Sequence, residues 1–278
     1  MTDAQGRYPA TGMRRRGWGT IHYLTETEVH TYAFSVAANA ILSFFPFVVL
    51  MLTICRRAFH SQAMYEVVLS LLRDYLPSNK DFVIKNMRAL ASAQGKAQIF
   101  SLCMLLVTST GIFLPLEVAL NKVWGFHKNR SYLANQLLSL GLAFACGALA
   151  MGSVALTAGN LHMLGISAGS QNMLARGTAY IVMKSTAIVA TILIFFLIYW
   201  ILPNGKVPVR AVLPAAIIAG GLWEGAKYVY ILLLPWLDFQ EVYGPFAISV
   251  TLIIWAYASG MLLLGGAHLS ASENTARF

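Results

Sequence analysis

Charged side chains are scarce in this chain of 278 residues, where Asp, Glu, Lys and Arg together make up 11% of the sequence. A soluble domain carries about 25% of these residues, because its water-facing surface needs them. Hydrophobic residues account for 58% of the chain, which exceeds the roughly 45–50% of an ordinary soluble domain. This balance excludes an ordinary soluble enzyme and indicates a protein whose surface faces lipid.

The residues that build most catalytic and metal sites are also few and scattered. The three cysteines, Cys55, Cys103 and Cys146, lie far apart in apolar segments and form no CxxC, which is typical of small core side chains. The six histidines form no HxH or HExxH, and the chain has no GxGxxG, P-loop or GxSxG. We therefore predict no catalytic residues, no metal site, no cofactor and no enzymatic activity.

The basic residues give the chain a net charge of +9, which raises the question of a nucleic-acid partner. They form no single stripe, and no nucleic-acid-binding motif accompanies them. The tightest cluster is Arg14 to Arg16, next to the apolar part of the chain. Such a cluster contacts anionic lipid and sets orientation, so we predict membrane lipids as partners and no nucleic acid.

Long apolar runs occupy most of the sequence. A helix needs roughly 20 apolar residues to cross the hydrocarbon core of a bilayer, whereas barrel strands alternate apolar and polar residues. The run from Ile192 to Leu202 is continuously apolar, which favours helices. We predict an all-α, polytopic membrane protein, a bundle of six transmembrane helices with short amphipathic interfacial helices. The predicted spans are residues 32–55, 98–120, 134–158, 177–202, 211–234 and 245–267.

These spans divide the chain into three parts. Residues 1–31 are a polar tail, in which Gly17 to His30 is a candidate interfacial helix, and residues 268–278 are a second tail. Between them, residues 32–267 form the transmembrane domain. The first apolar run is too long for a signal-peptide core, so we expect it to remain as a span.

Lys and Arg are enriched in cytoplasmic loops, and their count favours a cytoplasmic location for both termini. With the N-terminus inside, ten lie inside and eight outside, and seven of those eight fall in the first loop, residues 56–97. Outside that loop the distribution strongly favours this orientation. The inside residues are Arg7, Arg14, Arg15, Arg16, Lys122, Lys128, Arg130, Lys206, Arg210 and Arg277.

The first loop, residues 56–97, predicts two amphipathic helices separated by a break at Pro77. One interpretation places them in the headgroup region, with basic side chains toward lipid phosphates. Arg73, Lys85 and Arg88 are then the candidate headgroup contacts. The alternative is that the helices cap the bundle by packing on the ends of the spans, and the sequence favours neither.

A charged group inside a span costs about 2.5–3.5 kcal/mol in free energy of insertion. This chain has charged or polar residues in several of its predicted spans. Glu224 and Lys227 are three residues apart in the fifth span, Glu117 and Asn121 share a face of the second, and Asn39 lies in the first. They are candidates for an intramembrane polar site that accepts a headgroup or solute. The alternative is that they only hold helices together, and Lys184 can simply snorkel outward.

Several motifs are spread over nearly the whole chain. They are AFSVAANAILSFFPFVVL at 33–50, the segment 111–130, YWILPN at 199–204, Leu222-Trp223-Glu224 with Lys227 and Tyr228, and Val242-Tyr243-Gly244. In this combination they resemble the motifs of the YihY/virulence factor BrkB family of bacterial inner-membrane proteins.

The resemblance implies a bundle of six transmembrane helices in the bacterial inner membrane. Members were once labelled ribonuclease BN, an activity that we do not expect of this chain, because no general-base constellation for RNA hydrolysis is visible. The family usually ends its last span in Gly-Ala-Glu, whereas this chain has His268 after Gly266-Ala267.

Two classes of function remain open at this stage. The first is movement of a lipid, amphiphile or small solute through a polar intramembrane cavity, and proton coupling would require Glu224 or Glu117. The second is a non-transporting scaffold that binds envelope protein partners or supports envelope integrity, with its polar residues serving only helix packing. These hypotheses differ in whether Glu117, Glu224 and Lys227 face an open cavity.

Overall fold

The computed structural model describes residues 13–75, 80–92, 95–127, 130–167 and 173–275. Within these ranges the chain forms ten α-helices and one short 3₁₀ turn, with no β-strand. The all-α prediction is therefore confirmed. The helices are α1 Met13–Leu24, α2 Thr27–Arg57, α3 Gln62–Tyr75, α4 Lys80–Ser92, α5 Lys96–Trp124, α6 Tyr132–Ser167, α7 Met173–Ile201, α8 Val209–Leu237, α9 Phe239–Tyr243 and α10 Ala247–Thr275, with the 3₁₀ turn Gly244–Phe246 before α10.

Six of these helices, α2, α5, α6, α7, α8 and α10, are long and apolar enough to cross a membrane, as the sequence predicts. Between 17% and 33% of the residues in the most apolar window of each are buried, so the remaining surface faces outward. A 29-residue helix such as α8 is about 43 Å long, which exceeds a hydrocarbon core of about 30 Å. Each helix extends beyond its predicted span at one or both ends, and α10 runs through residue 275.

Successive spans cross the membrane in opposite directions, which gives the bundle two ends. We call the end at which α2 begins the near end and the end at which α2 finishes the far end. The spans pack in a ring in which α2 contacts α5 and α10, α8 contacts α10 and α7, and α6 contacts α7 and α5. The short helices α3 and α4 follow α2 and therefore lie at the far end.

The near-end core is a cluster of buried side chains from all six spans and from α1. Tyr199 is fully buried there and donates its hydroxyl hydrogen to the carbonyl oxygen of Leu263 at 2.8 Å. Helices α7, α8 and α10 approach closely because Gly266 has no side chain. A β-carbon on Gly266 would lie 2.3 Å from the Tyr199 hydroxyl and 2.6 Å from the Ala219 β-carbon.

The far-end core is formed by α2, α3, α4 and α6. The predicted amphipathic helices of the first loop are present as α3 and α4, whereas the break at Pro77 lies outside the described residues. Their apolar faces are buried against α2 and α6, with Leu69 1% and Ile84 3% exposed. This packing is the arrangement expected of helices that cap the bundle. It leaves their charged faces pointing outward.

Helix α1 precedes the first span and packs along α10. The Tyr23 ring stacks on His268 at 4.6 Å between centroids, and Thr20 Oγ1 lies 3.1 Å from His268 Nδ1. Burial raises the pKa of the Tyr23 phenol above its ordinary value. Trp18 and Ile21 are 74% and 56% exposed, as expected for a helix at a membrane interface.

Candidate functional site

A cavity of about 410 Å³ lies in the far half of the bundle, surrounded by α2, α3, α6, α7, α8 and α10. Its volume is within the range of about 300–1,000 Å³ that is usual for small-molecule sites. The walls are mostly aliphatic and aromatic, with Phe47 and Met51 from α2 and Val154 from α6. Leu71 of α3 lines the cavity and is 41% exposed, so the cavity reaches the molecular surface beside α3.

One wall of this cavity carries an ion pair in α8. Glu224 and Lys227 are three residues apart, so they lie on one face of the helix and their side chains pair directly. Both are buried, at 7% and 9% exposure. The hydroxyl of Thr191 in α7 donates a hydrogen bond of 2.9 Å to the Glu224 carboxylate. The three side chains line the cavity and form its polar patch.

Aromatic rings surround the ion pair. Lys227 Nζ lies 5.2 Å from the centre of the Trp223 ring, a distance at which an ammonium is attracted to the ring face. Trp255 of α10 packs against Trp223 at 5.5 Å and stacks on Tyr230 at 5.1 Å. Trp223 and Tyr230 are fixed by hydrogen bonds to α10. The polar patch is therefore held in a rigid aromatic frame.

A second lysine lies at the seam between α7 and α8. Lys184 donates a hydrogen bond of 2.6 Å to the Tyr228 hydroxyl, and its Nζ is 4.9 Å from the centre of that ring. Lys227 Nζ is 5.6 Å from the centre of the same ring. Tyr228 is 42% exposed, so this group of side chains connects the cavity wall with the outer surface.

Glu117 occupies a different place, at the near end of the bundle. It is fully buried in α5, where its carboxylate accepts a hydrogen bond from the Asn135 side chain of α6 and lies 3.5 Å from Arg130 Nη1. Asn135 in turn accepts a hydrogen bond of 3.0 Å from Ser139. These groups satisfy one another inside packed protein, away from the cavity.

Arg130 and Asn121 extend this near-end network to the end of α7. The Arg130 guanidinium donates hydrogen bonds to the carbonyl oxygens of Leu202 at 2.5 Å and Pro203 at 2.9 Å, groups that the end of a helix leaves without helical partners. The Asn121 side chain accepts a hydrogen bond of 2.7 Å from the backbone N–H of Asn204. The network therefore joins α5, α6 and α7.

Asn39 lies apart from both polar groups. Its side chain donates a hydrogen bond of 2.9 Å to the Ser35 carbonyl oxygen of its own helix. It rests against Gly111 of α5, where a β-carbon would come within 2.0 Å of the Asn39 side-chain oxygen. Of the five predicted intramembrane residues, the structure thus places Glu224 and Lys227 at the cavity, Glu117 and Asn121 in the near-end network, and Asn39 between α2 and α5.

The candidate headgroup contacts lie on the far-end helices. Lys85 and Arg88 are exposed on α4, and Arg88 forms a surface ion pair of 3.6 Å with Glu66 of α3. The side chain of Arg73 is outside the described residues. The two described cations therefore point away from the bundle, toward the solution or the headgroups.

Several residues of these sites carry no recognisable signal in the sequence. Thr191 and Tyr228 are ordinary residues of apolar helices, and no spacing pattern relates them to Glu224 or Lys184 on another helix. Arg130 lies in a predicted loop and Asn135 at the very start of the predicted third span, where polar residues are common. Among the residues described here, no cluster of His, Cys, Asp or Glu could hold a metal ion.

Comparison with known proteins gives one family over most of the chain. The sequence profile described as Virulence factor BrkB matches residues 20–277. A UPF0761 membrane protein of Actinobacillus pleuropneumoniae is 24% identical over 204 residues, which are 72% of each protein. No solved structure matches the chain significantly.

Two further relatives are longer than this chain, and both are also described as UPF0761 membrane proteins. The protein of Chromohalobacter salexigens is 26% identical over 71% of this chain and 48% of its own length. The protein of Pseudomonas aeruginosa is 26% identical over 74% of this chain and 50% of its own length. The chain therefore spans about half the length of these two relatives.

Proposed function

The chain belongs to the virulence factor BrkB family of membrane proteins, and from this premise we propose that it moves a lipid, amphiphile or small solute across the bilayer through the far-half cavity. The observation that carries the proposal is the Glu224–Lys227 pair on the wall of a largely apolar cavity. If this region of the bundle served only helix packing, larger side chains that filled the cavity would increase the free energy of unfolding.

The chemistry of the cavity suits an amphiphile. Aliphatic and aromatic walls accommodate an acyl chain or ring, and the carboxylate, ammonium and hydroxyl of Glu224, Lys227 and Thr191 offer hydrogen bonds to a polar head. A lipid can enter from the surrounding bilayer without exposing its tail to water. Binding and displacement suffice for this function, so we propose a protein that makes and breaks no covalent bond.

The polar patch lines the cavity in the far half, and the Glu117 network lies in the packed near half. These positions support a pathway that is accessible from one side of the bundle. The cavity reaches the surface at the far half, whereas the near half is packed by the near-end core and the Glu117 network. Movement between leaflets would require the near end to separate. We propose that the protein resides in the bacterial inner membrane with both termini in the cytoplasm, so that the far end faces the periplasm.

Reconstitution in lipid vesicles tests the proposal. We expect the protein to accelerate movement of a tail-labelled phospholipid between leaflets relative to empty vesicles, and Glu224→Ala to abolish most of this acceleration. Glu28→Ala is a matched control, because Glu28 forms an exposed ion pair with Lys122 at the near end. Equal rates for empty vesicles and protein, or for Glu224→Ala and the wild type, would contradict the proposal.

A second candidate function, a scaffold for envelope protein partners, is favoured by the far-end helices. The packed α3–α4 pair presents Lys85, Arg88 and Glu66 outward on a stable base, a surface on which a protein could dock. Crosslinking from Lys85 in intact cells, followed by mass spectrometry, tests this function. A partner captured in stoichiometric amounts, together with vesicles that show no lipid movement, would favour the scaffold.

A further inference from the structure

Ser153 is half-buried on the α6 wall of the far-half cavity, and its hydroxyl forms no hydrogen bond with any described residue. The two threonines that line the same cavity differ in this respect. Thr251 donates to the carbonyl oxygen four residues earlier in its helix at 2.7 Å, and Thr191 donates to Glu224 at 2.9 Å. A hydroxyl that is buried without a partner costs free energy. The Ser153 hydroxyl is therefore available to a ligand in the cavity.

Glu224, on the α8 wall of the cavity, has acceptor sites that the protein does not fill. One carboxylate oxygen accepts a hydrogen bond from the Thr191 hydroxyl, and the other accepts one from Lys227. A carboxylate has about four acceptor sites, so these two partners leave part of its capacity unused. Because a carboxylate only accepts hydrogen bonds, a ligand must bring an O–H or N–H group to use the remaining sites.

Ser153 and Glu224 lie on different walls, because they belong to α6 and α8, the two helices that flank α7 in the ring. A ligand head between these walls can contact both side chains. Hydroxyl groups suit this pair, because they donate to a carboxylate and also accept from the Ser153 hydroxyl. An ammonium only donates and would leave the Ser153 hydrogen unused. A phosphate diester only accepts and would leave the remaining acceptor sites of Glu224 unused.

We propose that Ser153 and Glu224 bind the head of an amphiphile that carries two or more neutral hydroxyl groups, such as a glycerol or sugar head. One hydroxyl donates to the Glu224 carboxylate, and another accepts from Ser153. The apolar part of the ligand then packs against the aliphatic and aromatic walls of the cavity. The inference rests on the proposed function and deepens it, because it names the class of ligand.

The test compares two ligands that differ in their hydroxyl groups. Binding of radiolabelled monooleoylglycerol and of radiolabelled methyl oleate, which has the same chain and ester but no hydroxyl, is measured by scintillation proximity. The purified full chain is kept in dodecyldimethylamine oxide, a detergent whose head lacks hydroxyl groups. We expect monooleoylglycerol to bind about tenfold more tightly to the wild type, as two additional hydrogen bonds imply.

Substitutions of Ser153 separate its hydroxyl from its place in the helix. Ser153→Ala should reduce the preference for monooleoylglycerol to about threefold, because one of the two hydrogen bonds is lost. Ser153→Thr keeps a hydroxyl and should retain the preference. Ser109→Ala is a matched control, because it removes a hydroxyl from α5, a span that contributes no described residue to the cavity wall.

Binding is measured apart from movement in vesicles, so that failure of the inference and failure of the proposed function are distinguishable. A preference for monooleoylglycerol that weakens in Ser153→Ala, without movement of phospholipid in vesicles, would support the hydroxyl site and contradict the transport function. Equal affinity of the wild type for the two ligands would overturn the hydroxyl site even if phospholipid moves. A Ser153→Ala variant that remains monodisperse and loses affinity for both ligands equally would also overturn it, because the hydroxyl would then be structural.

Two competition experiments identify the source and the chemistry of the bound head. Excess free glycerol that fails to displace monooleoylglycerol supports a site for the head of an amphiphile. Displacement by free glycerol from the wild type would overturn the need for an apolar tail and assign the site to soluble polyols. Oleylamine that binds more tightly than monooleoylglycerol would overturn the inference, because a head that only donates hydrogen bonds would then be preferred.

Discussion

Glu117 and Glu224 are both buried glutamates in transmembrane helices, yet their surroundings differ. Glu117 is enclosed by Arg130 and Asn135 from neighbouring segments, which satisfy its carboxylate inside packed protein. Glu224 is held by one residue of its own helix and one hydroxyl, and it lines a cavity. Burial is common to both carboxylates and does not decide which of them can reach a ligand. The distinction lies in whether open space adjoins the group.

The largest effect is expected from removing Glu117, the buried carboxylate at the near end. Glu117→Ala leaves the Arg130 guanidinium and the Asn135 amide without their carboxylate in a low-dielectric interior. Removing one partner of a buried ion pair typically costs about 3–5 kcal/mol. We expect a large loss of thermal stability in detergent, measured by size-exclusion chromatography after heating. A variant as stable as the wild type would show that the near-end network does not stabilise the bundle.

A steric change at the near end should have the next largest effect. Gly266→Ala places a methyl group against Tyr199 and Ala219, where three helices meet. Overpacking of this kind costs about 1–3 kcal/mol, so a lower melting temperature is expected. Gly221→Ala on α8 is a suitable control, because nothing lies within 4 Å of the position of its β-carbon. Equal destabilisation by the two substitutions would argue against close packing at Gly266.

A substitution that fills the cavity sharpens the contrast between Glu117 and Glu224. We expect it to alter ligand binding while it leaves the near end intact. Ala190→Phe projects a ring from α7 into the space beside Thr191. Since the cavity has room for added atoms, we expect a change in stability of about 1 kcal/mol or less. Binding of a fluorescent lipid should nevertheless fall at least tenfold. Undiminished binding would place the ligand elsewhere.

The smallest effect is expected at the surface. Lys122→Ala removes the partner of Glu28, and both side chains are more than half exposed. Exposed ion pairs contribute about 0–1 kcal/mol, so melting temperature and lipid binding should remain close to those of the wild type. A large loss of stability would indicate that this near-end contact is part of the packed network.

The sequence was sufficient to predict the helices but not their partners. Spans are predictable because a bilayer requires long apolar segments whose backbone hydrogen bonds are internal. The two helices of the first loop were also predictable, from their amphipathic pattern. Their burial against α2 and α6 was not, since the same pattern suits a lipid surface and a protein surface equally.

The candidate site could be predicted in part, for a related reason. Glu224 and Lys227 share a helix, so their pairing follows from a spacing of three residues. The contact of Thr191 with Glu224 spans 33 positions in sequence, and that of Lys184 with Tyr228 spans 44. Such contacts depend on how the helices dock, which no local pattern specifies. The separation of Glu117 from the cavity was unpredictable for the same reason.

The contact between α1 and α10 has a consequence for biosynthesis. Thr20 and His268 are separated by 248 positions, and α2 packs directly against α10. Helix α2 therefore waits, with one side uncovered, until α10 has been translated. During that interval lipid or an insertion factor must cover the waiting side. Premature termination ahead of α10 would release a chain that cannot close and is a ready substrate for membrane proteases.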